Sequence, residues 1–322
     1  MGKLIDGKWV RSDEVARTDT RGAFVRGTTK FRHSVRADAS RFAPEPGRYH
    51  LFAAYNCPWA HRTMIARRLL GLEDVIGISY ANVRRSEEGW WYAEGLDDLQ
   101  PGDDGRLPLH VLYSRSASDY TGSATVPVLW DRALGCIVNN ESAEIVRMFD
   151  QHFDALSTRA ISLYPDELAA TIDEINTWVY RDINNGVYRC GFARSQQAYD
   201  EAFDALFAAL DRAERLLERQ RYLAGDRLTE ADVRLFPTLI RFDCVYHGHF
   251  KCNLRRIVDY PAMWGYLRDL YQTSGFAETV RIDLYKQGYY GRSPRLNPSG
   301  IIPKGPAIDF EAPHDRASGT TP

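Results

Sequence analysis

The stretch Cys57-Pro58-Trp59-Ala60 joins a thiol to the local signals that open a helix. Cys57 falls at the N-cap, and Pro58 takes the first helical position, where its missing N–H costs nothing. Residues 49–54 just before it read as a short strand, so the thiol sits at a strand-to-helix joint. The partial positive charge of a helix N-terminus favours thiolate over thiol, and His61 and Arg62, one turn in, are placed to add to it. A second cysteine at the fourth position would make a dithiol centre, but that position is Ala60. The expected chemistry is therefore monothiol, with a mixed disulfide on Cys57 resolved by a small external thiol. A lone cysteine also packs well as a small hydrophobe, yet a strand-Cys-Pro-Trp-helix context is seldom needed for that.

Two other segments look built for a ligand. Thr125-Val126-Pro127-Val128 puts a proline at the start of an apolar strand, where it would remove a ladder hydrogen bond. A cis peptide before Pro127 resolves this and leaves main-chain groups of Val126 able to pair with an extended peptide-like ligand; a plain edge strand is the simpler alternative. Asn139-Asn140-Glu141-Ser142 leads into a helix, so the Ser142 hydroxyl and nearby amides suit an anion while Glu141 suits a cation. Together they would hold an α-amino acid, although ordinary capping uses the same residues. Cys244, His247, His249 and Cys252 depart from the usual zinc spacings, and no metal is expected there. Thr229-Glu230-Ala231-Asp232 fits a capping box that opens a buried helix.

The elements that must position these groups fall into two classes. Residues 49–54, 75–80, 125–130 and 136–138 read as strands, with helices over 58–70 and 141–149, which describes an open sheet with helices. A long polar stretch over about 82–122 reads as an insertion. Beyond residue 155 only helical signals remain, over 166–184, 195–219, 229–246 and 261–274. The second is the clearest, with Phe203, Leu206, Phe207, Leu210, Ala213 and Leu217 on one stripe. The expected organisation is an irregular arm over 1–45, an α/β domain over 46–152, an all-α domain over 155–288 and an extended tail over 289–322. That tail carries Pro294, Pro298, Pro303, Pro306 and Pro313, and in the arm Phe24, Phe31 and Phe42 are candidates to pin it down.

Composition narrows the partners. With 322 residues, 44% hydrophobic and 26% charged, the chain is long enough for two cores, and no apolar run reaches the length of a membrane span. Basic residues number 41 against 43 acidic, so no overall field attracts nucleic acid or anionic lipid. The first residues lack an apolar signal core, and the five cysteines form an odd, widely spaced set. Reduced thiols in the cytoplasm are the expectation.

Tyr55-Asn56-Cys57-Pro58-Trp59-Ala60-His61-Arg62, residues 125–131, Glu141-Ser142, Asn185-Gly186-Val187-Tyr188 and Phe242-Asp243-Cys244-Val245-Tyr246 together resemble the glutathionyl-hydroquinone reductases, the Xi class of glutathione transferases. The resemblance runs over residues 51–306. It implies the glutathione transferase fold, an α/β thioredoxin-like N-terminal domain plus an all-α C-terminal domain, with dimerisation through the helices. It implies glutathione as co-substrate, no metal, and Cys57 as the nucleophile that attacks the sulfur of a glutathionyl-hydroquinone. Tyr188 would protonate the ring carbon, while Tyr246 and Tyr289 would donate hydrogen bonds that help stabilise the thiolate. Trp90, Ser123, Ala124, Thr125, Val126, Pro127, Glu141 and Ser142 would hold glutathione. One position departs: the family's arginine after Gly122 is Ser123 here, with Arg84, Arg85 or Arg115 as substitutes, or a thiol other than glutathione as reductant. Dehydroascorbate reduction, protein deglutathionylation and a non-catalytic binding role are the competing readings.

Overall fold

The computed structural model describes residues 2–11, 17–291 and 295–316. Two compact units are present, one of Met1–Val15 with Gly27–Ile161 and one of Ala16–Arg26 with Ser162–Pro322. The arm thus divides between the units, and the α/β unit extends past the expected residue 152.

The first unit opens on a hairpin of β1 (Gly2–Ile5) and β2 (Lys8–Arg11), a departure from the irregular arm expected there. Four residues on each side of an Asp6-Gly7 turn were too short a pattern to register, and Asp6 and Gly7 both adopt positive φ. The central sheet has the order β4-β3-β7-β8. Strand β3 (Tyr49–Ala53) is buried at every position, as expected of a central strand covered on both faces. It leads into α1 (Pro58–Leu69) and then β4 (Ile76–Tyr80), which pairs parallel with β3.

The polar stretch after β4 is not structureless. Strands β5 (Trp91–Tyr92) and β6 (Leu107–Pro108) pair within it, and α2 (Leu109–Ser116) follows directly. This helix escaped the sequence pattern because only Leu109, Leu112 and Tyr113 are buried, a single apolar stripe one turn long. Strands β7 (Val128–Asp131) and β8 (Cys136–Asn139) form an antiparallel hairpin, and α3 (Ser142–His152) packs against α1. Asp131 builds the hairpin turn by accepting from the amides of Ala133 (2.9 Å) and Leu134 (3.1 Å). Its other oxygen takes Nε and Nη2 of Arg48 at 3.0 and 2.7 Å.

In the second unit α4 (Ala169–Trp178) runs into a wide i→i+5 turn over Val179–Asn184, then α5 (Gly186–Phe192) and the 22-residue α6 (Gln196–Leu217). Five of the six stripe residues of α6 are buried, Phe203 being half-buried. Helix α7 (Glu230–Arg241) also ends in an i→i+5 turn, over Phe242–Tyr246, followed by the short α8 (His247–His249), α9 (Pro261–Gln272) and α10 (Ile282–Tyr290). The expected tail from residue 289 is corrected: Tyr289 and Tyr290 are the last turn of α10. Pro294 and residues 317–322 lie outside the described residues. Along the described tail, Arg316 donates to main-chain oxygens of Leu217, Gln220 and Arg221 at the end of α6.

The capping box of α7 is present, and its carboxylate does more than cap. Asp232 is fully buried and accepts from the amides of Thr229 (2.8 Å) and Leu223 (2.9 Å) and from the Tyr266 hydroxyl (2.7 Å). The Thr229 hydroxyl also donates to it at 3.1 Å, so Asp232→Ala strands four buried donors at once and is expected to cost about 3 kcal/mol. Urea denaturation checks this as a lower midpoint at unchanged slope.

Candidate functional site

Strand β3 ends at Ala53 and α1 begins at Pro58, so Cys57 is the N-cap, with φ −93° and ψ 115°. Its side chain makes no capping bond. The half-buried thiol instead donates to the main-chain oxygen of Val126 at 3.6 Å. Pro58 has no N–H and so adds no unmet donor to the first turn of the helix. Arg62 is buried, with its guanidinium 4.6 Å from the Trp59 ring centroid and Nη1 donating to Ser142 Oγ at 3.5 Å. Arg62 thereby ties α1 to the start of α3.

The Val126–Pro127 peptide is cis, as the strand-start proline implied. Strand β7 accordingly begins at Val128, later than the expected residue 125. Thr125 is exposed, but its main chain is held: the Tyr113 hydroxyl donates to Thr125 O (2.7 Å) and accepts from Thr125 N (3.1 Å). The same hydroxyl accepts from Asn140 Nδ2 at 3.0 Å. Asn140 in turn exchanges hydrogen bonds with the main chain of Phe31, whose ring meets Tyr113 edge-on at 5.6 Å. Phe31 thereby pins its part of the arm. Glu141 is the N-cap of α3; Oε1 accepts from Ala143 N at 3.4 Å and Oε2 from the Thr29 hydroxyl at 3.2 Å.

The remaining predicted ligand residues are more scattered. Trp90 is buried, with the Arg85 guanidinium over its ring at 3.8 Å. Ser123 is exposed and offers its main-chain oxygen to the Tyr120 hydroxyl at 3.2 Å, while Ala124 is half-buried. Of the three substitute arginines, Arg115 is engaged elsewhere, in an ion pair with Asp98. Arg84 is exposed. The cation beside the Gly122-Ser123-Ala124 stretch is Lys30, whose Nζ donates to Thr121 O at 2.6 Å. Neither Lys30 nor Tyr113 was singled out from sequence, because both act through partners distant along the chain or in three dimensions only.

In the second unit Tyr188, Tyr289 and Tyr246 form one chain of hydroxyls, Tyr188 to Tyr289 at 2.6 Å and Tyr289 to Tyr246 at 3.0 Å. The i→i+5 turns end just before Asn185 and at Tyr246, and so set the rotation of both outer tyrosines about their helices. Gly191 lets α5 close on Phe250, since a Cβ there would lie 2.3 Å from that ring. Phe192, Phe250 and Phe24 line the same cluster, and the Arg26 guanidinium lies 4.8 Å from the Tyr188 ring centroid. Burial first, and neighbouring phenols second, push the Tyr246 and Tyr289 hydroxyls well above the ordinary tyrosine range. The buried guanidinium of Arg241, 3.6 Å from the Tyr285 ring centroid, partly offsets this.

Cys244 donates to Ile240 O and Arg241 O, and burial raises its thiol to about 12. His249 is lowered to about 4 by burial and packs against Phe250 and Tyr290. Among the described residues no group of three His, Cys, Asp or Glu is arranged to hold a metal ion, and no helix is long and apolar enough to cross a membrane.

The family model described as "Glutathione S-transferase, N-terminal domain" matches residues 56–152, and "Glutathione S-transferase, C-terminal domain" matches residues 196–269. Among curated relatives, glutathionyl-hydroquinone reductase YqjG of Escherichia coli is 46% identical over 98% of this chain and 98% of its own length. Glutathionyl-hydroquinone reductase PcpF of Sphingobium chlorophenolicum is 47% identical over 95% and 97%. Among solved structures, a Xi class GST from Natrialba magadii has 47% identity and a TM-score of 0.89, covering 99% of this chain and 97% of that one. The glutathione-bound structure of YqjG has 45% identity and a TM-score of 0.86, covering 98% and 99%.

The upward displacement of the two phenols means that both remain neutral donors through and beyond neutral pH. Spectrophotometric titration of tyrosinate should give superimposable curves for wild type and Tyr289→Phe up to about pH 10. A tyrosinate signal below that pH, lost in the variant, would show the opposite displacement.

Proposed function

The chain belongs to the glutathionyl-hydroquinone reductases, the Xi class of the glutathione S-transferase family, and on that premise we propose that it reduces glutathionyl-hydroquinones with glutathione through a mixed disulfide on Cys57. The observation that carries this reading is the hydroxyl chain of Tyr188, Tyr289 and Tyr246 in an aromatic surround. Thiol–disulfide exchange alone has no use for an acid directed at carbon; expelling an aromatic carbon from sulfur does.

In the proposed sequence the Cys57 thiolate attacks the glutathione sulfur of the conjugate. The carbon–sulfur bond breaks, its electron pair stays on the ring carbon, and Tyr188 gives that carbon a proton. Hydroquinone leaves, and Cys57 is left bonded to glutathione. A second glutathione, having returned its thiol proton to the tyrosine chain, attacks the glutathione sulfur of that disulfide. Oxidised glutathione departs and the thiolate is restored. The ring carbon gains two electrons, and two glutathione sulfurs lose them.

Glutathione would lie along the Val126 main chain, with its α-amino acid end at Glu141 and Ser142 and the Ser123-Ala124-Thr125-Val126-Pro127 segment and Trp90 alongside. Arg85 on the Trp90 ring and Lys30 at Thr121 supply positive charge that Ser123 does not. Five free thiols suit a cytoplasmic setting. Self-association through the helical unit is part of the same proposal, and light scattering should then report twice the 36.7 kDa chain mass.

The direct test is turnover of a menadiol–glutathione conjugate with glutathione. Cys57→Ala should abolish hydroquinone release, and Tyr188→Phe should lower kcat by about 10²- to 10⁴-fold. Folded wild-type protein that releases no hydroquinone yet reduces dehydroascorbate or mixed disulfides would replace this reading with simple exchange.

A further inference from the structure

We propose that Tyr113 is a positioning residue for glutathione, a role that rests on the reading above and goes beyond the residues it names. A phenol hydroxyl offers one donor and two acceptor sites, and here all three are used. Its proton goes to Thr125 O, and its lone pairs take Thr125 N and Asn140 Nδ2, at 2.7, 3.1 and 3.0 Å. Thr125 precedes Val126, whose carbonyl faces the Cys57 thiol. Asn140 precedes Glu141, the N-cap of α3. One oxygen therefore fixes the separation of the two segments that would hold the main chain and the α-amino acid end of glutathione.

The oxygen is itself fixed. Tyr113 is fully buried on α2, and its ring is bracketed by Phe31 at 5.6 Å and Tyr120 at 5.1 Å. Removing only the hydroxyl leaves that packing in place but takes the common partner from Asn140 Nδ2 and from the main chain and hydroxyl of Thr125. The two segments then lose their shared reference point while the thiol, on α1, keeps its own.

The experiment compares Tyr113→Phe, Asn140→Ala and the double variant, with denaturation midpoints to establish that each is folded. Tyr113→Phe should raise the KM for glutathione by about 10-fold and lower kcat much less. Asn140→Ala should raise it by a smaller factor, and the double variant should fall short of the product of the two single effects, because the two side chains share one hydrogen bond. A loss of stability without a positioning role would lower the active fraction and leave KM where it was. Calorimetric binding of glutathione to Cys57→Ala, with and without Tyr113→Phe, needs no turnover. Failure of the reductase reading shows as inactive wild type, whereas unchanged glutathione affinity on removal of the hydroxyl overturns the positioning role alone. If Tyr113→Phe does not fold, Asn140→Ala decides: a raised KM supports the proposal and an unchanged one overturns it.

Discussion

The α/β unit is organised around the requirement that a helix begin at once where its central strand ends. Cys57 can occupy an N-cap only because β3 stops four residues earlier and Pro58 starts α1 without needing a hydrogen bond for its nitrogen. The thiol then sits at the N-terminus of a 12-residue helix, the point where the helix dipole is most effective. Much else in the unit secures that geometry. Arg67 of α1 donates to main-chain oxygens of Ile76 and Glu73, which fixes the helix to the start of β4. Arg62 fixes it to α3, and the cis segment at Val126 brings a carbonyl to the thiol.

The helical unit solves a different problem, how to keep a proton available in an apolar setting. Burial makes a phenolate costly, so a buried tyrosine stays neutral and keeps its hydrogen. Linking three of them lets a charge that forms on one be shared by hydrogen bonds from the others, and Arg241 places a fixed positive charge in the same cluster. The wide turns after α4 and α7 give up regular i→i+4 bonding at two places, and both adjoin this cluster. Local irregularity of this kind is most often retained where side-chain direction matters more than helix regularity.

What could be read from sequence was what depends on neighbours along the chain. The Cys-Pro joint, the proline at a strand start, the capping box at Thr229 and the stripe on α6 are all local patterns, and each has its counterpart in the fold. Helix α2 was lost because one turn of apolar residues inside a polar segment carries almost no periodic signal, and α10 because Gly288 and its tyrosines resemble an irregular tail. Long-range commitments were invisible. Nothing along the chain marks the pairing of Arg115 with Asp98, and Lys30 reaches Thr121 across 91 positions. Tyr113 is one tyrosine among 18, and its hydrogen bonds to Thr125 and Asn140 are what set it apart.

Ala60 gives the sulfur chemistry a boundary condition. With no cysteine at that position, a disulfide formed on Cys57 has no resolving thiol within its own motif, and its lifetime then depends on thiol supplied from elsewhere. The fraction of capped protein at rest would then follow the ratio of reduced to oxidised low-molecular-weight thiol. The cap also has a protective side. A sulfur already in a mixed disulfide is shielded from stepwise oxidation to sulfinic and sulfonic acids, so an oxidising episode that halts turnover also preserves the means to restart it.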